Sequence, residues 1–194
     1  HLLEEKETAL EVIMENFIIK LAGQYFEICP VCDYIREYCK DYIVDHAVAA
    51  KLADVGMETP CHRIGISQSD IDFEREKSAR EDIKEGIPIR QFSDAYLETL
   101  AVYRKIADIL LSCDTLLFHG SVVAVDREGY LFTAKSGTGK STHTRLWREY
   151  FGERAIMVND DKPLLHITDS GVTAYGTPWD GKHRLSKNIE VPLK

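Results

Sequence analysis

Residues 134–142 read Ala-Lys-Ser-Gly-Thr-Gly-Lys-Ser-Thr, small and hydroxylated residues spaced around one lysine in a way that suits a polyphosphate. To grip phosphate oxygens, backbone N–H groups must come within hydrogen-bond reach of them. Gly137 and Gly139 permit both that approach and positive φ. Lys140 can set an ammonium on the β- and γ-phosphates, and Ser141 can offer its hydroxyl to Mg²⁺. Ser136, Thr138 and Thr142 complete the cradle, and a helix opening at Lys140 would turn its positive end toward the anion. Ala134 stands where such loops usually carry their first glycine, the position farthest from the lysine. The ligands implied are ATP and Mg²⁺.

A second cluster follows one helix and one strand later. Asp160 and Asp161 close the apolar run Ala155-Ile156-Met157-Val158. A carboxylate there can hold Mg²⁺ beside the loop hydroxyl while its neighbour accepts a proton from an attacking hydroxyl. Residues 175–188 form a loop-like stretch with two glycines, an aromatic ring and several cations. In it, Lys182 and Arg184 are candidates for neutralising a transferred phosphate, with Trp179 as a packing or stacking wall. Cys29-Pro30-Val31-Cys32 has redox or zinc-ligand spacing but lacks a second pair, so packed thiols are expected.

These residues need elements to position them. Leu116–Val125 reads as a strand that turns at Asp126-Arg127-Glu128-Gly129 into Tyr130–Thr133, a hairpin that feeds the phosphate loop directly. The common βαβ nucleotide folds instead reach that strand by a helical crossover. A helix is expected from about Lys140 to Phe151, closed by Gly152. Leu164–Thr168 and Val172–Tyr175 read as a second hairpin turned by Asp169-Ser170-Gly171, and Val191-Pro192-Leu193 as loop. Upstream, Phe17–Ala22 and Tyr25–Ile28 suggest a hairpin turned at Gly23-Gln24, and Asp33–Tyr42 a short helix. Asp45–Arg63 is ambiguous. Ser69, three residues ahead of Asp72, marks the start of a charged helix running to Glu85, and Ser93 caps an amphipathic one. The reading divides the chain near residue 90 into an α+β region of unknown role, 1–90, and a nucleotide-binding core, 91–194.

The 194 residues are 44% hydrophobic and 29% charged, enough to bury a core. A net charge of −8 disfavours nucleic acid and anionic membrane surfaces. No apolar run of membrane-spanning length and no signal-peptide pattern occurs, and five scattered cysteines fit reducing conditions, so a cytoplasmic location is expected. The start at His1 and the end just after Val191-Pro192-Leu193 raise the expectation of a fragment, with part of the site beyond residue 194.

Over roughly residues 116–165 the chain resembles the HPr kinase/phosphorylase family and, more distantly, ATP-dependent phosphoenolpyruvate carboxykinase. The resemblance rests on His119-Gly120, the Ser-Gly-Thr-Gly-Lys-Ser loop and the Asp-Asp pair. It implies an α/β fold with a phosphoenolpyruvate carboxykinase-like P-loop core. It also implies that Asp161 is the base, that His119 neighbours it, that Asp160 helps to hold Mg²⁺, and that Lys140 acts on the moving phosphoryl group. The activity implied is ATP- and Mg²⁺-dependent transfer to a hydroxyl of a protein, a peptide or a small molecule, and family members assemble as homo-oligomers. The alternative is a non-catalytic ATP-binding regulator or peptide-recognition module. A carboxykinase is disfavoured by the short chain.

Overall fold

The computed structural model describes residues 14–45, 47–48, 61–135 and 137–194. Among them the fold is mixed α/β, with four α-helices and three small sheets. The first sheet pairs β1 (Phe17–Leu21) antiparallel with β2 (Gln24–Cys29), and β2 parallel with β3 (Cys61–Gly65). The turn falls at Ala22-Gly23, one residue earlier than expected. Both residues have positive φ, 47° and 78°, the backbone that matches the twist of a two-residue hairpin. Helix α1 covers only Tyr34–Tyr38, and the chain then tightens into a 3₁₀ turn at Lys40–Tyr42 instead of staying helical through Tyr42.

Helix α2 (Gln68–Glu85) is capped by Ser67, which forms a reciprocal box with Asp70; the Ser69–Asp72 signal lies inside the first turn. Gly86 ends it at φ 70°. Helix α3 (Asp94–Leu110) starts at Ser93, whose hydroxyl accepts from Tyr96 N–H. Its Val102, Tyr103, Ile106 and Leu110 are buried with Phe17, Ile19, Phe26 and Ile28 of the first sheet, so one hydrophobic cluster draws on both sides of residue 90. Each such side chain contributes about 1.5–3 kcal/mol when removed from water.

The expected strand Leu116–Val125 is two strands in different sheets. Strand β4 (Thr115–Leu117) pairs with β8 (Leu164–Thr168), whereas β5 (Ser121–Val125) pairs with β6 (Glu128–Phe132) and β7 (Ala155–Asn159). Phe118, His119 and Gly120 form the connection. The Phe118 and Gly120 N–H groups are taken by Pro163 O and Asp161 O, so the connection follows the segment after β7 rather than continuing a strand. Strand β8 continues through β9 (Gly171–Tyr175) to β10 (Glu190–Pro192), a strand where the sequence suggested loop. No helix among the described residues is long and apolar enough to cross a membrane.

The β6-β5-β7 sheet positions the candidate chemistry. Its central strand, Ser-Val-Val-Ala-Val, is buried along its whole length, as expected for a strand covered on both faces. Both neighbours run antiparallel to β5 and therefore in the same direction as each other. The chain leaves β6, passes through residues 133–139, forms helix α4 (Lys140–Phe151) and returns along β7. Residues 133–139 and Asp160-Asp161 consequently emerge at one edge of the sheet, where β5 also begins. A bulge refines this edge: Val122 pairs with Asn159 and Val123 with Met157, which leaves Val158 as the extra residue.

Candidate functional site

The candidate phosphate-binding segment has its glycines in the backbone region that they favour. Gly137 has φ 79° and Gly139 φ 98°, and among the described residues neither has a neighbour crowding the place of a Cβ. Gly139 is the N-cap of α4, so the unpaired N–H groups of the first helical turn open onto the loop. Thr138 closes the bend by donating its N–H and its hydroxyl to Lys135 O. Lys140 Nζ donates to Ala134 O at 2.8 Å and to Lys135 O at 3.4 Å, lying across the space the loop encloses. Ser141 and Thr142 are exposed, and Ser136 lies outside the described residues.

An aromatic cluster fixes the direction of α4. Trp147 packs on Tyr130 and Phe132 of β6 with ring centroids 5.0 and 5.2 Å apart, and His143 meets Phe132 edge-on at 4.7 Å. His143 thus has a packing role. The helix is held on the strand that feeds its own N-terminus.

The acidic pair is organised by Asn159, which is fully buried. Its Oδ1 accepts the N–H groups of Asp161 (2.9 Å) and Lys162 (2.6 Å), bending the chain sharply as it leaves β7. Its Nδ2 donates to Thr177 O and Oγ1 and so ties that bend to the 176–189 loop. Asp160 is 8% exposed, and Ser121 donates its hydroxyl to Asp160 Oδ1 at 2.9 Å. Asp161 is more open, and His119 Nε2 lies 3.4 Å from its Oδ1. Gly120 N–H bonds Asp161 O, which keeps the His119 segment against the pair.

The 176–189 loop is stitched down closely. A Cβ at Gly176 would lie 1.9 Å from Lys187 O and 2.7 Å from Val158 O, the carbonyl of the bulge residue. Trp179 is 2% exposed, stacks on Tyr103 at 4.1 Å and 7°, and donates Nε1–H to Thr99 O. It is a packing wall that seats the loop on α3, and its ring is not open to a ligand. Arg184 is engaged by Asp180 (3.4 Å) and lies over Tyr38 at 4.2 Å, pointing to the α1 side of the loop. Lys182 is exposed.

The sequence did not single out Ser121 or Asn159, and it marked Gly176 and Gly181 only as the two glycines of a loop-like stretch. An asparagine ahead of two acids at a strand end was the available signal, because a side-chain amide there can bond the next backbone N–H groups.

All five cysteines are free thiols. Burial pushes the Cys32 thiol up, with buried Glu98 adding to the effect; that carboxylate accepts the Val31 and Cys32 N–H groups. Among the described residues no group of three or more His, Cys, Asp or Glu could hold a metal. Mg²⁺ asks for less, one or two carboxylates completed by phosphate oxygens and water. Asp160 Oδ2, which has no protein donor among the described residues, and the exposed Ser141 hydroxyl are hard oxygen donors of that kind.

No model of a known protein family matches the chain, and a search of characterised proteins finds no relative.

Proposed function

We propose that the protein is an ATP- and Mg²⁺-dependent kinase of the HPr kinase/phosphorylase-like group, built on a phosphoenolpyruvate carboxykinase-like P-loop core within residues 91–194. The observation that carries this reading is the convergence of three segments on one sheet edge. The loop with its helix N-terminus follows β6, the acidic pair closes β7, and the His119 segment leads into β5 between them. A glycine-rich turn with no ligand would not need this company.

In this reading the loop N–H groups and Lys140 bind the β- and γ-phosphates, with Lys140 exchanging its carbonyl partners for phosphate oxygens. Asp160 and Ser141 hold Mg²⁺, which neutralises charge on the phosphates. Asp161 accepts the proton of the acceptor hydroxyl, the oxygen attacks the γ-phosphorus, and the bond to the β–γ bridging oxygen breaks to release ADP. His119 orients Asp161 through their 3.4 Å contact.

The test is calorimetry of ATP binding with and without Mg²⁺, on the wild-type chain and on Lys140→Ala, followed by transfer from γ-labelled ATP. Mg²⁺-dependent binding that Lys140→Ala removes, with turnover that Asp161→Asn removes, is the expected result. A folded wild-type protein that binds no ATP would overturn the proposal.

A further inference from the structure

The 176–189 loop and the α1 segment line an open cavity of about 500 Å³. The volume suits a small molecule rather than a protein surface. Its wall carries Tyr34, Tyr38 and Tyr42 from one side and Asp180, Arg184 and Ser186 from the other. Among the described residues, five buried side-chain polar atoms lack a hydrogen-bond partner, and three of them belong to this wall: Tyr42 Oη, Asp180 Oδ1 and Ser186 Oγ. Tyr42 is 5% exposed and the Asp180 side chain 5% exposed, so neither group is simply left to bulk water. Asp180 Oδ1 has Arg184 Nε at 3.4 Å, an ion pair that provides charge without a hydrogen bond. Buried polar groups are normally satisfied, and three orphans on residues that line one cavity call for a shared partner.

The chemistry of the wall describes that partner. A carboxylate oxygen accepts, and two hydroxyls donate or accept. Burial pushes the Tyr42 phenol well above its usual range, so its proton stays in place. Three carboxylates and two cations line the wall: Arg184 faces Asp180, Lys40 bonds Glu37 at the rim, and Asp41 adds a further negative charge. No cation is therefore left over for an anionic ligand. Tyr34, exposed at the rim, offers an apolar ring face of the kind that covers the C–H face of a sugar or cyclitol ring.

We propose that this cavity binds a small, uncharged polyhydroxylated molecule of the sugar or polyol class, whose hydroxyls pair with Tyr42, Asp180 and Ser186. Resting on the kinase reading, that molecule is the phosphoryl acceptor. The cavity wall and the acidic pair are one residue apart, because Gly181 follows Asp180 and packs directly on the Asp160 carboxylate. A ligand seated against Asp180 is thereby held next to the edge where Asp160 and Asp161 stand.

The experiment titrates the wild-type chain with myo-inositol, D-glucose, D-ribose and glycerol in the absence of ATP, by saturation-transfer NMR and calorimetry. L-serine and inorganic phosphate serve as charged controls. Binding of at least one neutral polyol is expected, weakened about threefold to tenfold by Tyr42→Phe and about tenfold or more by Asp180→Asn. Tyr42→Phe should leave the melting temperature unchanged or raise it, since it removes an unpaired buried hydroxyl, an effect that a merely structural tyrosine would not show. Failure of every polyol to bind the folded wild-type chain, or binding indifferent to both substitutions, overturns the site. Preference for L-serine or phosphate does so equally. Polyol binding by a chain that binds no ATP upholds the cavity and removes the acceptor role. ATP binding abolished by Lys140→Ala, with no polyol bound, retains the kinase and overturns this proposal.

Discussion

Gly181 lies directly against the Asp160 carboxylate: a Cβ at position 181 would stand 2.9 Å from Asp160 Oδ2 and 3.3 Å from its Cγ. Gly181 is not among the residues with positive φ, so the obstacle to a larger residue is contact rather than backbone strain. Asp160 has little freedom to give way, because Ser121 holds its other oxygen and the side chain is buried. Gly181→Ala should push the carboxylate off its line. Phosphoryl transfer should fall by about tenfold to a hundredfold, the scale associated with misplacement by an ångström. Equal transfer rates in Gly181→Ala and wild type would mean that Asp160 is not positioned for the reaction.

His119 and Asp161 separate binding from chemistry. Asp161→Asn keeps the shape and the Gly120–Asp161 backbone bond but removes the proton acceptor, so ATP affinity should persist while turnover drops by about 10²–10⁴-fold. His119→Ala should cost less, since the histidine acts through the aspartate. Its signature should be a fall in kcat with little change in KM for ATP. Measuring both parameters for both variants checks this. A loss confined to KM for ATP would place His119 in nucleotide binding instead.

Gly176 offers a test of how the loop is fastened. The atoms nearest to a Cβ there are backbone carbonyls, Lys187 O and Val158 O, which cannot swing aside as a side chain can. Gly176→Ala must therefore spread the loop from β7 or displace the bulge, at a cost of about 1–3 kcal/mol or more. Urea denaturation should show that loss in full. An unchanged midpoint would show that the loop is not clamped between these two carbonyls.

The parts of the candidate site written in contiguous residues, the glycine and lysine spacing of 134–142 and the Asp160-Asp161 pair, can be read from the sequence alone, as can the hairpin that precedes them. What sequence could not supply is what distant segments do to one another. Ser121 and Asp160 are 39 residues apart, and Thr99 and Trp179 are 80 apart. Neither pairing has a periodicity to reveal it. The same limit explains why Leu116–Val125 read as one strand: apolar runs flank His119-Gly120-Ser121, and it is the backbone bonds to Pro163 and Asp161 that send the two halves into different sheets. Trp179 drew notice as an aromatic residue in a cationic loop. Burial against Tyr103 is decided by where α3 lies, which no local pattern encodes.

Asp70 joins the cap of α2 to the packing of α3, and it should make acid stability depend on that joint. Burial alone would raise its pKa. Hydrogen bonds from Lys105, from the Ser67 N–H and hydroxyl, and from Arg104 outweigh this and hold the carboxyl well below the usual carboxylate range. A carboxyl whose pKa is lower in the folded than in the unfolded state binds fewer protons when folded. Its contribution is therefore fully present above the unfolded pKa, near 3.8, and is lost as pH falls through the lower folded value. The melting temperature of the wild-type chain should accordingly decline from about pH 5 downward. Asp70→Asn should melt lower at neutral pH, because Arg104 and Lys105 lose their partner and the capping box its acceptor. Below about pH 4 the gap between variant and wild type should begin to shrink, because the unfolded wild-type carboxyl takes up a proton that the folded one still refuses. Thermal melts of both proteins at matched ionic strength provide the check. A gap that stays constant across the acid range would mean that Asp70 acts through packing or side-chain shape, without its charge.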